Sequence, residues 1–149
     1  MTNSLAGARR KARHYAMQAL YQWQMAGTDA ATIEAEFRAD NDMSKVDVDY
    51  FHALVSGAIR QIEELDALFM PYLDRKHNEL DAVSEALLRM GTFELLSKLD
   101  VPYRVVINEV VALAKKFGPT DSHKYLNGVL DKLALDLRQA EVADFRNKA

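Results

Sequence analysis

The densest chemistry in the sequence is Arg9-Arg10-Lys11-Ala12-Arg13, four cations within five residues. Such a run can meet successive phosphates, because each phosphate it neutralises releases condensed counterions. Arginine adds a planar fork for phosphate and a flat face for stacking on a base. The run opens a helical period, where positive charge opposes the helix dipole, so helix stability does not account for it. No Asp or Glu precedes Asp29. A nucleic acid, an anionic lipid surface or plain solvation would each suit the cluster. The lack of neighbouring acids favours a polyanion.

Further along the same helical period, Tyr21 falls on the side opposite the apolar stripe, with Arg10, His14 and Met17. An exposed ring there can stack on a base or bury in a partner; a covering helix would instead make it core. For His14 and Met17 the structural reading is preferred. A third candidate is Asp121, Ser122, Lys124 and Tyr125, just after Gly118-Pro119. Helix N-termini attract phosphates. Asp121 opposes that unless it caps the helix or accepts a hydrogen bond from a base. Asn108, Asn127 and Gly128 lie inside helical periods, where all three are poor helix formers. Specific hydrogen bonds for the asparagines and a close helix approach at Gly128 are the readings preferred.

Other chemistries are poorly served. With no cysteine among 149 residues, thiol nucleophiles and Cys-based zinc sites are excluded. His14, His52, His77 and His123 form no pair at i, i+3 or i+4, so no metal is expected. Ser56-Gly57 is no nucleophile elbow, Glu63-Glu64 reads as a solvated face, and no glycine-rich phosphate loop occurs. No catalytic residue and no cofactor is expected.

The elements that must position these residues are helices. Hydrophobic residues make up 49% of the chain, with only three prolines and six glycines, which favours long helices around a sizeable core. The net charge of −3 conceals a split. The first 28 residues carry four cations and no acid, hence +4, whereas the remaining 15 basic and 22 acidic residues give −7. One end can attract a polyanion while the body stays self-repelling. No apolar run is long enough to span a bilayer, and Met1 to Ser4 lead into arginines without an apolar signal segment. A cytoplasmic protein without a membrane partner is expected.

Six amphipathic helices are predicted. The first carries Ala8, Ala12, Tyr15, Ala16, Ala19, Leu20 and Trp23 and stops at Gly27. A short second helix holds Ile33 and Phe37. A third runs from Phe51 to Phe69, and Pro71 kinks or ends it. The fourth starts near Asp81 and stops before Val101-Pro102. The fifth spans about Tyr103 to Phe117, and the sixth follows Thr120 or Asp121 as cap. A frayed tail is expected after about Ala140. The polar stretch 74–79 separates two groups of three helices. The expected fold is therefore all-α, two packed three-helix bundles, with halves 1–78 and 79–149.

Taken together, Arg9-Arg10-Lys11-Ala12-Arg13, Ala19-Leu20-Tyr21-Gln22-Trp23, Asp100-Val101-Pro102-Tyr103, Ile107-Asn108-Glu109 and the block Asp121 to Lys132 resemble the NusB family of bacterial transcription antitermination factors. The resemblance covers nearly the whole chain, in order. It implies two three-helix bundles and an RNA-binding adaptor without catalysis or cofactor. It also implies binding to the boxA element of nascent ribosomal RNA together with NusE, a small-subunit ribosomal protein. The complex would help RNA polymerase read through terminators, with NusA and NusG. By position, Arg9, Arg10, Lys11 and Arg13 match the family's RNA-binding arm and Tyr21 a functionally important tyrosine. Asp121, Lys124 and Tyr125 match a corner that RNA also passes, with Tyr125 where Phe is common. The NusE surface is expected on the C-terminal bundle, and some relatives form homodimers. Two other readings are a helical module whose arm binds an acidic protein, and the NusB-like domain of an RNA cytosine methyltransferase. The second lacks its cysteine nucleophile here.

Overall fold

The computed structural model describes residues 4–148. Among them are eight α-helices and no strand. They are α1 (Leu5–Ala26), α2 (Ala30–Asp40), α3 (Val48–Arg60), α4 (Ile62–Phe69), α5 (Ala82–Ser97), α6 (Tyr103–Phe117), α7 (Ser122–Leu137) and α8 (Gln139–Lys148). Several starts are fixed by short polar side chains that accept an orphan backbone N–H. Ser4 accepts from Gly7, Asp29 from Thr32, Asp47 from Tyr50 and Asp81 from Ser84, all at 2.9–3.0 Å. Helix α1 stops at Gly27, whose φ of 71° lies in the left-handed region that glycine tolerates.

The helix expected from Phe51 to Phe69 is two helices, interrupted at Gln61. The period survives because both pieces bury the same face: Phe51, Leu54, Leu65 and Phe69 are all fully buried. The pair α3–α4 with α1 and α2 forms one three-helix bundle, and α5, α6 and α7 form the other. Helix α5 is the wall between them. It packs on α1, α3 and α4 as well as on α6 and α7. Its middle, from Ala86 to Leu95, is buried almost all round, as a helix enclosed by others must be. The stretch 74–79, where the sequence divides, holds the 3-10 turn His77–Glu79.

The tail differs from its expectation. Residues beyond Ala140 form α8, held by buried Val142 and by an edge-on contact of Phe145 with Tyr103 at 5.9 Å. The fastening is polar as well: Glu141 accepts from the Tyr103 backbone N–H at 2.6 Å and pairs with Arg138. A hydrophobic count underrates such a segment. Arg138 also terminates α5. Its buried guanidinium donates to the carbonyls of Glu94, Leu95, Lys98 and Val101 at 2.7–3.2 Å. The Leu95 carbonyl lies in the last α5 turn, whose carbonyls run out of helical donors, while the Glu94 and Lys98 carbonyls also accept the backbone N–H groups of Lys98 and Val101.

Gly128 was expected to permit close helix approach, but a Cβ there would meet nothing within 4 Å. Asn108 and Asn127 are likewise exposed; all three sit on the solvent faces of α6 and α7. The close approach occurs at Gly57, between α3 and α5, where a Cβ would lie 2.4 Å from Cζ of Phe93. Gly57→Ala is expected to destabilise by about 1–3 kcal/mol, the usual cost of overpacking a core. Urea unfolding measures it, and an unchanged midpoint would show that Phe93 moves freely.

Candidate nucleic-acid interface

Helical phase divides the four cations of α1. Arg9 and Arg13, one turn apart, both face the Tyr50 ring, with guanidinium carbons 4.5 and 5.4 Å from its centroid. Arg10 and Lys11 are exposed. The acids absent from the neighbouring sequence arrive through the fold. Arg9 lies 3.3 Å from Asp100 and 3.7 Å from Asp47. Arg10 meets Glu109 at 3.0 Å.

Arg13 departs furthest from the sequence expectation. Its side chain is 3% exposed, and that of Glu94, its partner on α5, is 0% exposed. Three donor–acceptor distances of 2.8–2.9 Å join them. Glu109 adds a contact at 3.4 Å, and the Tyr50 hydroxyl donates to Glu94. Burial opposes the charge of Arg13, but the hydrogen bond and charge of Glu94 outweigh it and raise the guanidinium's pKa. Burial, then the Glu94 charge, push the Tyr50 phenol above its usual value. Arg13 is thus an internal tie between α1 and α5, at the floor of the arm's clefts, with its guanidinium committed to Glu94.

The exposed cations border a cleft of about 650 Å³ between α1, the 42–46 turn and α6. Arg10, Lys11, His14 and Lys116 line it, with Asp42 and Glu109 as its acids. His14 is half-buried, and burial and then the Lys116 charge lower its pKa. Its ring lies 5.3 Å from that of Phe117. Phe117 leads into a second, apolar groove of about 440 Å³, lined by Met17, Tyr21, Met25, Phe37, Val83 and Phe117. Tyr21 is 39% exposed there and Phe117 36%. Tyr21 is thus a surface ring, whereas Met17 is buried as expected.

Beyond Gly118-Pro119 the corner is less open than its sequence suggests. Tyr125 is half-buried, its ring under the Arg75 guanidinium at 4.2 Å, and its hydroxyl accepts from the Asp74 N–H at 3.1 Å. A base can stack on that face only if Arg75 moves. Asp121 adopts a left-handed backbone, φ 65°, and its side chain makes no cap bond; it pairs with Lys124 at 3.5 Å. Capping by its side chain is therefore excluded, and both residues stay exposed. Lys116, Phe117 and Arg75 were missed by the sequence reading. The run Lys115-Lys116-Phe117 before Gly-Pro was the available signal, hidden because basic residues at a helix C-terminus are ordinary. Among the described residues no cluster of three His, Asp or Glu is placed to hold a metal, and no helix is long and apolar enough to cross a membrane.

Comparison with known proteins assigns the fold. The model of the NusB family matches residues 10–135. This chain belongs to the NusB family. The transcription antitermination protein NusB of Hahella chejuensis is 57% identical over 140 residues, 94% of either chain. That of Teredinibacter turnerae is 60% identical over 137 residues, covering 91% of this chain and 93% of its own. Among solved structures, NusB of T. maritima superposes with a TM-score of 0.75 at 29% identity, covering 85% of this chain and 89% of that one. A complex of the antitermination factors NusB and NusE with double-stranded RNA contains a chain matching at TM-score 0.76 and 30% identity, over 83% of this chain and 93% of its own. The all-helical, two-bundle architecture is that of the family.

Proposed function

We propose that this NusB-family chain is an RNA-binding adaptor in cytoplasmic transcription antitermination, which binds boxA RNA together with NusE and performs no catalysis. The observation that carries the reading is the continuity of one face. Exposed Arg10, Lys11 and Lys116 border a cleft that passes through His14 into the groove bearing Tyr21 and Phe117. Cations hold the phosphates, and the rings take unstacked bases. Exposed Lys124 and Asp121, beyond the Gly-Pro corner, are proposed as further contacts for the RNA. NusE is assigned to the C-terminal half, and NusA, NusG and RNA polymerase complete the assembly.

Tyr21→Ala tests the ring. One lost base stack is worth about 1–3 kcal/mol, or roughly 5- to 150-fold in affinity. Titration of labelled boxA RNA measures it, with scrambled RNA as competitor and light scattering to separate a 1:1 complex from a homodimer. An unchanged affinity would remove Tyr21 from the interface. Equal competition by scrambled RNA would reduce the face to a general polyanion site.

A further inference from the structure

We infer that Glu109 restrains Arg10 and so holds down the sequence-independent part of RNA binding by the α1 arm. The inference rests on the arm reading above. Glu109 comes from the middle of α6, far away in sequence. Its carboxylate lies 3.0 and 3.4 Å from Nε of Arg10 and 3.4 Å from Nη1 of Arg13. The Glu109 side chain is only 14% exposed, whereas that of Arg10 is 68% exposed. The acid is therefore seated in the wall of the cleft, and the cation it holds is the exposed, solvated partner. Glu109 lines both the cleft shared with Lys11 and Lys116 and the neighbouring recess beside Leu5 and Asn108.

Charge makes the consequence concrete. Arg13 is already matched by Glu94, and Arg9 lies between Asp47 and Asp100. Arg10 with Glu109 is a third matched pair. The arm's four positive charges thus project a much smaller field than their number suggests; Lys11 supplies most of it, with Lys116 of α6 lining the same cleft. A polyanion that offers only phosphates has to draw Arg10 away from a fixed carboxylate and also approach that carboxylate. An RNA that in addition places bases on Tyr21 and Phe117 has another source of affinity. Glu109 therefore keeps weak, charge-driven occupancy of the arm low.

The test compares Glu109→Gln with Asp42→Asn, which removes the same charge from the same cleft without touching an arginine. Binding of a scrambled single-stranded RNA is titrated by anisotropy at low salt, with each variant also placed in an Arg10→Ala background. Glu109→Gln is expected to tighten binding about tenfold, Asp42→Asn less than threefold, and the extra gain should vanish without Arg10. Equal gains for the two variants, or a Glu109→Gln gain that persists without Arg10, overturn the inference. If Arg10→Ala and Lys11→Ala leave binding unchanged with either residue at 109, the arm reading falls as well. Glu109→Asp, which keeps the charge but shortens its reach to Arg10, is the second variant should the glutamine form fold poorly; it should tighten binding, and wild-type affinity would contradict the restraint.

Discussion

Glu94→Ala is expected to cost about 3–5 kcal/mol of folding stability, because it leaves Arg13 charged and buried without its partner. The geometry sets the size of the effect. Neither side chain reaches solvent appreciably, three short hydrogen-bond contacts join them, and the Tyr50 hydroxyl uses the same carboxylate. Domains of this kind are stable by roughly 5–15 kcal/mol, so such a loss is a large share of the total. Urea denaturation followed by circular dichroism measures it. A loss below about 1 kcal/mol would show that water reaches Arg13 in the variant. Replacing both members by apolar residues of similar size, Arg13→Met with Glu94→Leu, should recover most of the loss, since a paired charge in the interior is costly to desolvate. Arg13 substitutions are therefore expected to act on RNA binding through the fold. An arm variant that includes Arg13→Ala measures stability and affinity at once.

The second large effect avoids that confusion. Arg10→Ala, Lys11→Ala and Lys116→Ala together remove three exposed cations from one cleft and touch none of the buried ties. For single-stranded RNA each phosphate contact contributes roughly −0.7 to the slope of log affinity against log salt, so the slope should become shallower by about 2. Affinity at low salt should fall on the order of 100-fold, and the difference from wild type should shrink as salt rises. Titrations at several salt concentrations measure both quantities. An unchanged slope with reduced affinity would mean that these cations do not contact phosphate.

Much of this arrangement was legible in the sequence, for particular reasons. The helices were visible because α1, α5, α6 and α7 each keep one apolar period between clear stops, such as Gly27, Pro102 and Gly118-Pro119. The break at Gln61 was not, because α3 and α4 bury one continuous face. Helix α8 was hard to see because its apolar anchors are only Val142 and Phe145, and the rest of its fastening is a polar lock, Arg138 with Glu141, that a hydrophobic period does not register. The four cations of the arm were visible as a cluster on one helix, yet their division into an inward and an outward set was hidden. Acids roughly 80 to 100 positions away pair with Arg10 and Arg13, and local sequence holds no record of such partners. Tyr21 could be placed opposite the apolar stripe, but whether another helix covered it depended on packing. The same holds for Gly57 and Gly128, two helical glycines of which only the first meets a neighbour. Charge, period and stops are local properties; burial of a charge and exposure of a ring are settled by tertiary contact.

The division of α1 into an inward and an outward set of cations decides which residues meet RNA, and it can be measured directly. Amide and side-chain resonances of the isotope-labelled protein are followed by NMR while boxA RNA is added. The largest shifts are expected at Arg10, Lys11, His14, Tyr21, Lys116 and Phe117, continuing to Asp121 and Lys124, with the Arg13 guanidinium signal little changed. Shifts confined to α2 and α8, or a strong response of the Arg13 guanidinium with none at Tyr21 and Lys116, would contradict this expectation.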